Sequence, residues 1–163
     1  MVEFEPAIKS LTEADVDFVI IGGVAISVHS SGYVTKDLDF CYLRTTKNLK
    51  NIISAFARFE PRLRGFPKDL PFVWDERTLQ NGTNFTLETS IGEIDMLGEV
   101  AGVGNYEAVK NESISTKIYG CEVRVLTIEG LIKAKRAAGR VKDLLVLPEL
   151  EALKEILSET EEK

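Results

Sequence analysis

Val19 to Leu43 reads VIIGGVAISVHSSGYVTKDLDFCYL: an apolar run, a glycine pair, a short amphipathic stretch, then Asp37-Leu38-Asp39. Val19-Ile20-Ile21 has the β-branched character of a buried strand, and Gly22-Gly23 breaks it at once. A tight turn with exposed backbone follows. Beyond it, Val24, Ala25, Val28 and Ser31 recur at roughly helical spacing, so the pair sits where a strand hands over to a helix. The free N–H groups of such a helix start attract anions. Thr35 to Leu43 is predicted as a second strand, with Leu38 and Phe40 on one face and Asp37 and Asp39 on the other. Two residues along a strand is about 6.6 Å, so both carboxylates can lean towards one hard cation or a close pair of cations. Without such a cation their mutual repulsion is costly.

Working outward, Phe4 to Ala14 is predicted as a helix with Phe4, Ile8 and Leu11 on one face. Lys47 to Phe59 is a second, ending before Pro61. Glu60 to Asn84 is the least regular part and is read as a long loop with a single helical turn, a candidate lid or substrate wall. It carries Arg62, Arg64 and Lys68, which could meet phosphate, and Trp74, read as a loop anchor ahead of a base-stacking platform. Asn84 to Ser90 and Glu93 to Leu97 alternate as a hairpin, and Ile114 to Ile118 and Cys121 to Leu126 form another around Tyr119-Gly120. Thr127 is a plausible N-cap for a helix Ile128 to Ala138 that Gly139 ends. Helical patterning resumes at Val141, with Pro148 expected to kink it or start a separate helix and Ser158 to Lys163 expected to fray.

The chain has 163 residues, 44% of them hydrophobic and 28% charged, which suits one α/β domain spanning 1–163 with its own core. No apolar stretch is long enough to span a bilayer, and the start MVEFEPAIKS is acidic where a secretory signal would be basic. A cytoplasmic protein is expected, with no membrane partner. Cys41 and Cys121 sit in predicted strands without CxxC spacing and are read as reduced, packed thiols. A net charge of −6 argues against a general nucleic-acid coat. Positive charge nevertheless gathers at Lys133, Lys135, Arg136, Arg140 and Lys142, marking an anion-binding corner.

Asp-x-Asp alone occurs in other metal sites. A phosphatase of the haloacid dehalogenase type needs a Thr two residues past the second Asp, where this chain has Cys41. A glycosyltransferase metal motif would leave the glycine pair without a role, and a calcium loop needs further ligands that do not follow.

Gly22-Gly23, thirteen residues, then Asp37-Leu38-Asp39 between hydrophobic neighbours resembles the signature of the nucleotidyltransferase superfamily, whose members resemble DNA polymerase β. More narrowly, Ile21 to Ala25, His29, Thr35 to Asp39 and Lys135 to Asp143 resemble small bacterial nucleotidyltransferases of the AbiEii or MenA toxin type. In place of that type's His-Gly and following Arg, the chain has His29-Ser30 and Tyr33. The resemblance implies a mixed central sheet flanked by helices, with C-terminal helices. It implies a third carboxylate, matched by Asp95 in Ile94-Asp95-Met96, which with Asp37 and Asp39 would be both catalytic and metal-binding. The implied cofactor is Mg²⁺ or Mn²⁺. The implied nucleotide-binding residues are Gly22, Gly23, Thr35, Lys135 and Arg140, with Asp143 at the periphery and His29 structural. The expected reaction moves a nucleoside monophosphate from a nucleoside triphosphate to a hydroxyl on RNA such as tRNA, on a partner protein or on a small molecule, in a toxin–antitoxin setting. The alternative is a non-catalytic nucleotide- or partner-binding module of the same fold.

Overall fold

The structure is a computed structural model that describes residues 3–30, 33 and 35–161. Ser31, expected on the first helix after the glycine pair, lies outside the described residues, as do 162 and 163.

The core strand is β1 (Phe18–Ile21), whose four residues are all buried, as a strand sandwiched between two helical layers must be. It runs antiparallel to β2 (Leu38–Tyr42) on one side and parallel to β9 (Cys121–Leu126) on the other. Outside β2 lies β5 (Gly92–Leu97), parallel to it, followed by β4 (Asn84–Thr89) and the two-residue edge strand β3 (Arg62–Leu63). Outside β9 lies β8 (Ser113–Ile118). The seven-stranded mixed sheet therefore has the order β3-β4-β5-β2-β1-β9-β8. A separate ribbon pairs β6 (Glu99–Val100) with β7 (Gly104–Asn105).

Helix α1 (Phe4–Glu13) buries Ala7, Ile8 and Leu11, and α3 (Thr46–Phe56) buries Leu49, Ile52 and Phe56. The two pack against each other over one side of the sheet, where Phe40 meets Phe18 and Phe56 edge-on. Helix α2 (Gly22–His29) follows β1 directly, and its Val24, Ala25 and Ile26 are buried. Thr127 caps α6 (Ile128–Ala138) by accepting from the Gly130 N–H, and Gly139 ends it at φ 65°. Two short helices, α4 (Glu76–Gln80) and α5 (Tyr106–Asn111), complete the layers, each capped by a side chain, Asp75 and Asn105. No helix of the described residues is long and apolar enough to cross a membrane.

Several expectations are corrected. The second strand starts at Leu38, not Thr35, and stops at Tyr42. Its antiparallel partner β1 turns into α2 at Gly22, just past the Ile21–Asp39 pair, so the residues before Leu38 have no β1 neighbour to ladder with. The Lys47–Phe59 helix begins at Thr46 and gives way after Phe56 to a tighter turn at Ala57–Phe59. The long loop conceals β3, which is too short to show alternation. Pro148 starts no separate helix but lies inside α7 (Val141–Glu161), which stays helical past Ser158. The N–H that Pro148 lacks would have met the carbonyl of Leu144, a residue 50% exposed where water can take its place. Pairing with α6 supports the rest of α7.

Candidate active site

Beside the C-terminal end of β1, a cavity of about 400 Å³ is lined by Gly22, Asp37, Asp39, Asp95, Lys135 and Arg140, together with Lys142 and Asp143. Six of the eight residues proposed from sequence thus line one cavity. Gly23 and Thr35 do not line it. They pack on each other instead: a Cβ on Gly23 would meet the Thr35 side chain 2.6 Å from its Cβ. The Thr35 hydroxyl donates to the Asp37 carbonyl at 3.3 Å and shapes the approach to β2.

The glycine turn has a definite steric reason. Gly22 sits at φ 65°, and a Cβ there would fall inside the Asp39 carboxylate, 2.9 Å from its Cγ. The left-handed backbone and the missing side chain together let Asp39 lie against the first residue of α2. Asp95 comes to the same place through the sheet: in the parallel β2–β5 pairing it stands beside Asp39, while Leu38, Ile94 and Met96 fill the core. Asp37, outside β2, is not oriented by strand alternation as expected, yet it lines the same cavity.

Electrostatically the acids are short of positive charge. Burial, then the neighbouring Asp95 and Asp37, push the Asp39 carboxyl up to about 7, against a smaller opposing pull from Lys135. Its protonated form has Asp95 within hydrogen-bonding reach. This crowding of acids is a donor set of the hard-oxygen kind that suits Mg²⁺ or Mn²⁺. As they stand, no three His, Cys, Asp or Glu side chains among the described residues converge tightly enough to enclose an ion. The nearest arrangement is the Asp39–Asp95 pair with Asp37 alongside.

The cations across the cavity are held by one buried acid. Asp143 is fully buried, accepting from Arg140 Nε at 2.7 Å, from the Arg140 N–H at 3.2 Å and from Lys135 Nζ at 3.2 Å. Burial opposes its ionisation, but these donors win and keep the carboxyl below its ordinary range. Lys135 is thus aimed from α6 and Arg140 from the turn before α7. Lys133, two residues from Lys135, faces elsewhere and pairs with Glu112 at 2.8 Å.

Other candidates find structural partners. His29 Nε2 lies 3.0 Å from the Leu126 carbonyl and ties α2 to the end of β9. Trp74 Nε1 donates to the Ile53 carbonyl at 3.0 Å, anchoring the loop on α3. Arg62 holds the Pro67 and Leu70 carbonyls at 3.2 and 3.1 Å, between Phe66 and Phe72. Both cysteines are free thiols, and burial pushes that of Cys41 up to about 12. Sequence reasoning missed Asn84, Glu99 and Leu131 in the cavity wall, for which no local pattern existed, and the tie between Arg64 and Asp95, which only β3 reveals.

Solved structures of similar fold cover nearly the whole chain. ANT(2″)-Ia in complex with adenylyl-2″-tobramycin matches 96% of this chain and 95% of its own, at 12% identity and a TM-score of 0.56. The lincosamide antibiotic adenylyltransferase LnuA, lincomycin-bound, matches 94% of this chain and 98% of its own, at 13% identity and a TM-score of 0.57. The chain has the nucleotidyltransferase fold. An antigenic nucleotidyltransferase-like protein from Paracoccidioides brasiliensis is similar too, over 94% of this chain and 77% of its own, at 14% identity and a TM-score of 0.51. No protein-family model and no curated protein matches the chain. At these identities the likeness shows the general fold and does not extend to the AbiEii or MenA type. In the nucleotidyltransferase fold of this chain, the glycine turn and the acid pair line one cavity with Lys135 and Arg140.

Proposed function

We propose that the protein is a divalent-metal-dependent nucleotidyltransferase that moves a nucleoside monophosphate from a nucleoside triphosphate to a hydroxyl acceptor. The observation that carries this reading is the single cavity lined by the Asp39–Asp95 pair, Asp37, Lys135, Arg140 and the glycine turn at Gly22. Charges of both signs in one cavity suit a metal–polyphosphate ligand, which itself carries both.

In this reading Asp37, Asp39 and Asp95 would hold Mg²⁺ or Mn²⁺. Such an ion, when bound, polarises the phosphoryl group and eases loss of pyrophosphate. The chain's own residues do the rest. The start of α2 at Gly22-Gly23 leaves backbone N–H groups free for phosphate oxygens. Lys135 and Arg140, held by Asp143, receive the outer phosphates and prefer the leaving pyrophosphate to water. Asp95 takes the proton of the acceptor hydroxyl. Leu97, Val100, Leu131 and Ala134 give the cavity apolar lining suited to a base or the body of an acceptor.

The finer resemblance, to the AbiEii or MenA toxin type, rests on the spacing of the glycine pair, Asp37-Leu38-Asp39 and the run Lys135 to Asp143, and favours RNA or protein as acceptor in a toxin–antitoxin setting. The two antibiotic-linked neighbours set the competing case of a small-molecule acceptor. The deciding experiment incubates the protein with each labelled triphosphate and Mg²⁺ or Mn²⁺. Total RNA, cell lysate, tobramycin and lincomycin are offered in turn, and the Asp37→Ala/Asp39→Ala variant runs alongside. Label transferred only by the wild type supports the assignment and names the acceptor class. A folded protein that binds triphosphate and labels nothing is a binding module, and the enzymatic reading fails.

A further inference from the structure

The metal-dependent reading leaves Arg64 unexplained. Arg64 follows edge strand β3, and its N–H donates to the Thr86 carbonyl at 2.9 Å. Thr86 pairs with Asp95 across β4 and β5, and Asp95 pairs with Asp39 across β5 and β2. Arg64 therefore stands in the same row of the sheet as the acid pair, two strands beyond Asp95. Its guanidinium extends back over Thr86, and Nη2 lies 3.3 Å from Asp95 Oδ1 and 3.3 Å from Glu93 Oε2. Glu93 and Asp95 are two apart on β5 and so present their side chains on one face. The Arg64 and Asp95 side chains are only 32% and 29% exposed, so water screens the contact partially.

A guanidinium held on Asp95 Oδ1 competes with a divalent ion drawn to the same carboxylate, because two cations at such range repel. We infer that Arg64 is an exchangeable counter-ion for Asp95. It holds the carboxylate when the site lacks a divalent ion, and it retires onto Glu93 when an ion takes Asp95. The inference rests on the metal-dependent reading. It accounts for a cavity that gathers three acids of which no three side chains yet converge on one point. Glu93 is the element that makes it an exchange, since the same nitrogen already touches both acids.

The test reads Mn²⁺ binding by the full chain without nucleotide, using the electron paramagnetic resonance of the free ion. Asp39→Asn identifies the site, and Lys68→Gln, which removes a charge from the same loop, controls for general electrostatics. Arg64→Gln is expected to tighten Mn²⁺ about threefold to fivefold, the size of a partly exposed ion pair. Glu93→Gln is expected to weaken it by a similar factor in the wild type and not at all in the Arg64→Gln background, because nothing is left to retire. Arg64→Lys, which keeps the charge on a single-point donor, should fall between wild type and Arg64→Gln and serves if Arg64→Gln misfolds. Equal tightening in Lys68→Gln, or additive effects of the Arg64 and Glu93 changes, overturns the exchange and leaves the metal reading standing. Absence of any Asp39-dependent Mn²⁺ binding in all variants overturns the metal reading and the exchange with it.

Discussion

Replacing Asp39 by Asn should make the metal-free protein more stable at neutral and alkaline pH while abolishing transfer. Asp39 titrates at about 7 in the folded chain and near 3.8 in the unfolded one, because burial, Asp95 and Asp37 all disfavour its charge. Between about pH 4 and pH 7 the native state therefore holds a proton that the unfolded chain has lost. Stability from this group is complete below pH 4, declines as pH rises, and is gone above pH 7. A shift of about three units corresponds to about 4 kcal/mol. Asp39 keeps some contact with solvent and Asp95 can lean on Arg64, so roughly half of that, about 2 kcal/mol, is the working figure between pH 4 and pH 8. Asn imitates the protonated acid and cannot titrate. Urea unfolding at half-unit pH steps in EDTA should show the wild type losing about 2 kcal/mol relative to Asp39→Asn, or about 6 °C in Tm for a chain of this size. Mg²⁺ added at pH 8 should recover part of the loss in the wild type only. Parallel curves for the two proteins from pH 4 to pH 8 would refute the argument, since then Asp39 bears no unfavourable charge.

Gly22→Ala should destabilise the fold by about 2 kcal/mol and lower transfer by an order of magnitude or more, because it forces a left-handed alanine whose methyl displaces the Asp39 carboxylate; chemical unfolding and initial rates check both. Asp143→Asn should cost about 2 kcal/mol and raise the KM for triphosphate several-fold, by releasing Lys135 and Arg140 from a buried partner. Because Asp143 titrates below its ordinary range, its stabilising contribution is present at neutral pH and is lost only as strong acid protonates it, so the gap between this variant and the wild type should close at low pH. Trp74→Phe should cost about 1 kcal/mol for the lost bond to the Ile53 carbonyl and leave the KM for triphosphate unchanged; a several-fold rise in KM would instead mean that the indole stacks on the base.

Local patterning carried the reading a long way. The β-branched run before Gly22-Gly23, both hairpins, the Thr127 cap and the Gly139 stop all follow from neighbouring residues alone, and each holds in the fold within a residue or two. The presence of Gly22, Asp37, Asp39, Asp95, Lys135 and Arg140 at one cavity was legible from spacing together with the family resemblance, since apolar neighbours force Asp39 and Asp95 off the core face. Tertiary structure decided what depends on partners distant in the chain. Where β2 begins was set by the point at which β1 turns away, and the continuity of α7 through Pro148 by its packing on α6. The ion pair of Arg64 with Asp95 exists only because β3, β4 and β5 lie side by side, and that of Asp143 with Lys135 only because α7 packs on α6. Periodicity and chain stereochemistry act over a few residues and are written in the sequence. Desolvation and ion pairing depend on which segments meet, and that is settled when the sheet assembles.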